Sequence, residues 1–503
     1  MGTVALIALL CFLFVAGFSL RLYLLNEPLL YFNAVRQYRG AIIARSCYLE
    51  HDHSVAPTTR KIAALNRQRE GRLEPQILED LACAGYRISG GEQLWIPHLF
   101  SALFWLLGGV FLFLIARRLC SREAALFGLA FYLLLPYSIP ASKSFQPDPL
   151  MVMMELFGLL ALVRYDEAPS RLRLLAAGLL SGAAILIKPV SIFIIAGAFI
   201  ALNISRHGVR KGILSSATAV FAGVAFILPL AYYFYGLFIA GFLEGQAGQS
   251  FIPALLGKGY YWYGWLIMVN RVITWPLLIA ALFGWFVAGR GMPRALLTGL
   301  WIGYLVFGLV FNNHIHTHDY YQLQLIPIAA LGLGVAADYV LARIRTSIPR
   351  PTFAAVVLIA LVSIVTYYDL IKTRFEHARL GDLVAEYQTT AREIGETIDH
   401  SPNTIMLDHA FGKPLEYHGG IAGTVWPGSF DLQRSGEWGK PVLSPRQMFA
   451  EINKGSVPEY FVVTALEDFD RQPDLKQFLY ASFPVLKKTD RYIIFDLRKS
   501  ASH

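Results

Sequence analysis

Charge is what this chain has least of. Only 16% of its 503 residues are Asp, Glu, Lys or Arg, against about 25% in an average soluble domain. Too few polar residues are present to cover a water-soluble enzyme of this length. Cysteine is scarce as well, and the four present (Cys11, Cys47, Cys83 and Cys120) follow no metal-cluster spacing. No internal repeat of about 20–50 residues is found, which sets aside solenoids and propellers. Gly and Pro have no period, which excludes collagen-like and low-complexity classes. What the chain does have is apolar and aromatic: 55% hydrophobic residues, 34 Phe, 25 Tyr and 9 Trp, with a mean hydropathy of +0.48. That content excludes disorder and leaves a polytopic membrane protein.

The formal net charge is +9, which raises the question of nucleic acid. The basic residues flank apolar runs instead of forming one patch, so no nucleic-acid partner is expected. A helix needs about 20 apolar residues to cross a bilayer. Eleven candidate spans follow: 4–25, 95–116, 124–141, 149–164, 172–187, 189–204, 212–236, 267–289, 295–312, 319–341 and 352–371. The division of 172–204 falls at Lys188-Pro189.

Orientation follows from the basic residues of the short loops. With the N-terminus inside, the cytoplasmic loops hold Arg117, Arg118 and Arg122, then Arg164, Arg171 and Arg173, then Arg206, Arg210 and Lys211. Arg290 and Arg294 follow, then Arg343, Arg345 and Arg350, whereas the outside connections hold only Lys143, Lys188 and Lys258. The first span lacks a basic leader and reads as a retained helix, not a cleaved signal. The expected organisation is a transmembrane domain, 1–371, that includes an extracytoplasmic loop, 26–94, and an extracytoplasmic C-terminal domain, 372–503. In that tail, strand-like runs at Thr404–Leu407, Tyr460–Val463 and Arg491–Leu497 alternate with helical stretches near 445–454 and 473–480, the pattern of a small α/β domain. Cys47 and Cys83 both lie in the outside loop, where disulfides persist. A bond between them is one reading, two buried thiols the other.

Three outside segments are more polar than spanning requires. Arg36-Gln37-Tyr38-Arg39-Gly40-Ala41-Ile42-Ile43-Ala44-Arg45 carries three arginines, whose forks suit phosphate. The bland alternative is an amphipathic helix with Ile42 and Ile43 resting on lipid headgroups. Lys143-Ser144-Phe145-Gln146-Pro147-Asp148-Pro149 places an acid at the mouth of a helix, where Asp148 is either an N-cap or a chemical group. Asn312-Asn313-His314-Ile315-His316-Thr317-His318-Asp319-Tyr320-Tyr321-Gln322 offers His316, His318 and Asp319 as ligands for a divalent metal ion, although the spacing matches no zinc signature. Its alternative is an interfacial anchor with Tyr320 and Tyr321 in the aromatic belt. The stretch Glu244 to Tyr263 reads either as a mobile loop over a cleft or as an interfacial loop. Arg271, just inside the outer end of a span, is a charge that lipid does not tolerate without a function.

The order of these pieces resembles the GT-C membrane glycosyltransferases that use polyprenyl-phosphate sugars, and within them the group of protein O-mannosyltransferases and lipid A aminoarabinose transferases. The resemblance is carried by Arg36-Gln37…Ile43-Ala44-Arg45, Glu74-Pro75…Leu81…Gly90-Gly91, Phe145-Gln146-Pro147-Asp148 and His318-Asp319-Tyr320-Tyr321…Pro327. It covers roughly residues 1–370; the tail is similar only in position and size.

The resemblance implies a bacterial inner-membrane enzyme that moves a sugar from a polyprenyl-phosphate donor to an acceptor at the outer face, with inversion. Asp148 and Glu74 are then the candidates for proton handling, and Arg36, Arg39, Arg45, Lys188 and Arg271 for the donor phosphate. Gln146, Tyr320 and Tyr321 are substrate contacts. One departure stands out. The family pattern places an acid in the first loop, as Arg-Gln-x-Asp before Ile-Ala-Arg, and here that position is Arg39. An arginine cannot act as a base at neutral pH. The other reading is therefore a non-catalytic relative or carrier that binds or moves a lipid-linked saccharide.

Overall fold

The computed structural model describes residues 2–243, 250–344, 349–437, 441, 443–453 and 457–499. Part of the Glu244–Tyr263 loop and Arg345 thus lie outside the described residues. The chain divides into two compact units. One holds Met1–Glu27, Arg72–Leu78 and Leu94–Arg374; the other holds Pro28–Gly71, Glu79–Gln93 and Phe375–His503.

The first unit is a bundle of apolar helices. Among the described residues, seven helices are long and apolar enough to span a membrane, or eight if a bent pair is taken as one span. Three expected spans fall on helices that are shorter or more charged. Arg122–Leu134 has 13 residues and Arg171–Ile187 has 17. Asp148–Glu167 is longer but carries Glu155 in its middle and Arg164, Asp166 and Glu167 at its end. Glycines let neighbouring backbones touch, as is common between membrane helices. A Cβ on Gly197 of Ser191–Ile213 would meet the Gly299 carbonyl oxygen of Met292–Val310 at 2.3 Å.

Two breaks shape this unit. The helix Arg171–Ile187 ends at Lys188, which is extended (φ −154°, ψ 121°), and Ser191–Ile213 begins after Pro189. The residue before a proline is driven out of helical geometry, and this happens where the sequence divided 172–204. The expected span 267–289 is corrected: it consists of Gly259–Ile273 and Trp275–Val287, bent by 89°. Thr274 between them is left-handed (φ 58°), Pro276 has no N–H to continue a helix, and Asn270 Oδ1 accepts the Trp275 N–H at 3.0 Å.

The second unit is built on a five-stranded sheet, ordered β2-β1-β3-β5-β4. The strands are β1 Thr404–Leu407, β2 Gly423–Val425, β3 Tyr460–Val463, β4 Val485–Lys488 and β5 Ile493–Asp496. β1 is parallel to β2 and β3, and β5 is antiparallel to β3 and β4. Successive side chains point to opposite faces. Ile405, Leu407, Phe461 and Val463 therefore pack on one side with Trp426 and Phe469. Met406, Val462 and Ile494 pack on the other with Ile394 from the end of the long helix Arg350–Thr397 and Ile398 just after it. The helices Pro445–Asn453 and Pro473–Ser482 occupy the stretches expected of them; β2, with three residues, and β4, whose Val-Leu-Lys-Lys is mostly exposed, carry no apolar run that the sequence reading could find.

The helix Ala34–Leu49 belongs to this unit, and its central residues Gln37–Ala44 are buried. Ile42 and Ile43 face protein at 3% and 0% exposure, so the reading of this segment as a lipid-resting helix is corrected. Cys47 and Cys83 form a disulfide that closes a loop of 36 residues.

Candidate functional site

In the helical unit, the polar residues of the short segments meet. Asp148 does not cap its helix: it is the first helical residue, and no side-chain cap bond is made there. Its carboxylate turns instead to Lys188, whose Nζ lies 2.6 Å from Asp148 Oδ1. The side chains are 1% and 6% exposed. Asp148 Oδ2 has no hydrogen-bond partner among the described residues. The Lys188 ammonium also lies 5.3 Å and 5.0 Å from the ring centroids of Tyr320 and Tyr321, within cation–π range. The extended backbone at Lys188, imposed by Pro189, delivers this side chain.

Next to the tyrosines, Asp319 lies 3.6 Å from the Arg271 guanidinium, with Tyr137 beside it. The Arg271 side chain is 58% exposed. It sits at the end of Gly259–Ile273, where the chain turns away, and not inside a continuous span as expected. The segment carrying these residues is clamped. Trp265 Nε1 donates to Tyr304 Oη at 2.9 Å, Tyr304 donates in turn to Gln322 Oε1, and Gln322 Nε2 donates to the Ile315 carbonyl at 2.8 Å. Gln146 is 1% exposed, and neither of its amide atoms has a partner among the described residues. An unpaired buried amide costs about 1–3 kcal/mol. Lys143 is engaged elsewhere, 3.1 Å from Glu27 and donating to the Tyr23 carbonyl at 3.0 Å. Glu74 is half-buried, and its charge acts on the Tyr233 hydroxyl.

A second polar layer was missed by the sequence reading. Glu155, Ser191 and Gln324 are all at most 1% exposed. Gln324 Nε2 donates to Glu155 and lies 3.5 Å from Ser191 Oγ. Glu155 follows Asp148 by two helical turns, Ser191 follows Lys188 by three residues, and Gln324 follows Tyr320 and Tyr321 by four and three. The signal was a carboxylate in the middle of an apolar helix.

The first-loop arginines lie in the other unit. Arg39, which the sequence offered for phosphate, is buried beside Glu70: its Nε is 3.8 Å from the carboxylate and it donates to the Gly71 carbonyl at 3.0 Å. Glu70 also receives Lys413. Arg45 pairs with Glu92 at 2.6 Å, donates to the Tyr417 carbonyl and stacks 3.4 Å over the Tyr417 ring. Arg36 is half-buried at the start of the same helix. Tyr38 hydrogen-bonds His418 Nε2 at 2.9 Å. Burial, reinforced by Arg45 and Arg392, lowers the His418 pKa to about 3, so its ring is neutral.

The proposed metal ligands do not form a set. His316 Nδ1 is 2.6 Å from the Asn312 carbonyl, His318 Nδ1 is 2.7 Å from Thr317 Oγ1, and Asp319 faces Arg271. Among the described residues, no three His, Cys, Asp or Glu side chains are placed to hold one ion.

Residues 81–234 match the family described as dolichyl-phosphate-mannose-protein mannosyltransferase. No curated protein matches the chain in a sequence comparison. Among solved structures, ArnT from Cupriavidus metallidurans bound to undecaprenyl phosphate is similar over 99% of this chain and 98% of its own, with 16% identity and a TM-score of 0.58. The Archaeoglobus fulgidus oligosaccharyltransferase in complex with Zn and sulfate is similar over 95% of this chain and 71% of its own, with 12% identity and a TM-score of 0.55. The fold is therefore the one seen in these two solved structures, in keeping with the resemblance drawn from the sequence motifs.

Proposed function

We propose that this protein is a GT-C glycosyltransferase of the bacterial inner membrane. It transfers a sugar from a polyprenyl phosphate to an acceptor at the outer face, with the N-terminus cytoplasmic and the domain 372–503 outside. The observation that carries this reading is the water-excluded Lys188–Asp148 pair under Tyr320 and Tyr321. A buried ammonium whose counter-ion keeps one oxygen unpaired is ready to exchange that partner for a phosphate, and Arg271 supplies a second, accessible cation. The undecaprenyl phosphate bound to the similar ArnT supports the same donor class.

An apolar groove of about 770 Å³ runs between Ser191–Ile213 and Met292–Val310. It is lined by Phe193, Gly197, Ile200, Gly299, Ile302 and Val306 and suits a prenyl chain. In the reaction, the acceptor oxygen bonds to the anomeric carbon as the carbon–oxygen bond to phosphate breaks on the opposite face. Polyprenyl phosphate leaves, held by Lys188 and Arg271, and the hydroxyl proton passes to Glu74. Asp148, closed off by Lys188, acts first as counter-ion and only second as base. Gln146, Tyr320 and Tyr321 contact the sugar phosphate.

The second reading, a non-catalytic carrier of lipid-linked saccharide, draws on Arg39: the residue standing where related chains carry an acid is buried and bound to Glu70. The test is the release of free polyprenyl phosphate by the chain in nanodiscs, given labelled polyprenyl-phosphate sugars and an extract of acceptor glycans, proteins and lipids. Release is expected, with Lys188→Met weakening donor binding and Glu74→Gln lowering the rate by about 10²–10⁴ while leaving donor binding intact. Donor binding without release would favour the carrier.

A further inference from the structure

The sheet-containing unit has a cavity of about 500 Å³ that the reaction above does not use. Its walls come from the helices Ala34–Leu49 and Pro57–Glu70 and from the segments around 399–402 and 416–420. Asp399 and His400, both left-handed (φ 49° and 50°), follow the end of the long helix and line its rim.

Two buried polar groups on the wall are incompletely satisfied. Asn66 is 3% exposed; its Nδ2 donates to the Ile421 carbonyl at 2.9 Å, but its Oδ1 accepts nothing among the described residues. Glu416 is 5% exposed, and its Oε2 has no hydrogen bond, with Lys413 Nζ at 3.5 Å. Leaving such atoms dry and unpaired is costly, and both belong to the lining of one cavity. They ask for different things. The amide oxygen needs a donor; the carboxyl, kept protonated by burial up to about 8, is itself a donor and needs an acceptor. A hydroxyl group supplies both.

The rest of the lining narrows the ligand. With the Glu416 carboxyl neutral, Lys61 stands against Asp399 in the lining, and Arg45 is already paired with Glu92. There is no surplus charge for an anion or a cation. Thr58 and Thr59 add exposed hydroxyls at the mouth, while Ile42, Leu49 and Ile62 form an apolar wall. Hydroxyl-matching groups on one side and an aliphatic surface on the other are complementary to a pyranose ring, which has polar edges and C–H faces. The volume lies within the range of small-molecule pockets.

We infer that this cavity is a binding site for a neutral saccharide unit, with Asn66 and Glu416 as its buried hydrogen-bonding anchors. The site is made wholly from one compact unit and does not depend on the transfer chemistry proposed above.

The test is equilibrium binding of free neutral sugars (mannose, galactose, N-acetylglucosamine and a disaccharide of each) to the full chain in nanodiscs, free of sugar-headed detergent and of donor lipid. At least one is expected to bind saturably below about 10 mM. Asn66→Leu and the double change Thr58→Val with Thr59→Val should each weaken it by about tenfold. The threonines are exposed, so their variant folds even if Asn66→Leu does not. The inference is overturned if no neutral sugar binds, if only phosphate-bearing sugars do, or if binding is unchanged in the threonine variant. Sugar binding by a chain that releases no polyprenyl phosphate would uphold the site while removing the transferase.

Discussion

Lys188 and Asp148, forty residues apart in sequence, form an ion pair 2.6 Å long that solvent scarcely reaches. Removing one member strands the other as a buried charge, which costs about 3–5 kcal/mol, whereas removing both together costs much less. The expected outcome is a large fall in thermal stability for Lys188→Met and for Asp148→Asn separately, and a smaller one for the double variant. Strictly additive losses, measured by unfolding of the purified chain, would show that the pair is not coupled.

Arg39 and Glu70 make a second prediction. Introducing an acid with Arg39→Asp sets two carboxylates beside one another next to Lys413. Stability falls, and catalysis is not improved. Adding Glu70→Arg restores opposite charges between these two positions but sets an arginine against Lys413, so it recovers only part of the loss. A double-mutant cycle read by melting temperature decides it: a coupling near zero would mean that Arg39 does not depend on Glu70.

A third prediction concerns pH. Burial, with Glu70 nearby, raises the Glu416 carboxyl from 4.5 to about 8, against the opposing pull of Lys413. Between these values the native state holds a proton that the unfolded chain has lost, so this group's contribution to stability falls as pH rises from about 4.5 to 8. Glu416→Gln keeps a neutral side chain at every pH. The melting temperature of Glu416→Gln minus that of the parent should therefore increase across this window. A difference that stays flat would show that Glu416 titrates normally.

The disulfide supplies a fourth. Cys47→Ser together with Cys83→Ser should lower stability by about 2–5 kcal/mol. Peptide mapping without reduction should recover residues 47 and 83 linked; finding both thiols free to alkylation would contradict the bond.

Much of this arrangement could be read from residue types. Polar loops at one depth, Phe145 to Asp148 and His318 to Tyr321, were visible because charge is so rare that each occurrence stands out. The strands at 404, 460 and 493 were visible because they are short apolar runs between turn residues. What the sequence withheld was pairing across distance. Nothing local says that Arg45 meets Tyr417, 372 positions later, or that Arg39 meets Glu70 rather than a ligand. Tyr417 reaches Arg45 because the first loop folds with the tail, and Glu70 reaches Arg39 because two helices of that loop, Ala34–Leu49 and Pro57–Glu70, fold on one another. The break at Thr274 was hidden for another reason: hydropathy is blind to Pro276 and to one left-handed residue, so two helices at 89° looked like one span. Glu155 escaped because attention went to the ends of helices and not to their middles.

Pro189 has a reach beyond its own turn. Were it replaced by a residue that helices accept, 171 to 213 would be free to run on as one rod, and each position after the old joint would rotate about the cylinder by the helical step. The ammonium that now points at an acid would then be carried round to another neighbour. The placement of this buried charge contact thus depends on an interruption in the bundle's regularity, and an imino ring with no chemistry of its own keeps that interruption open.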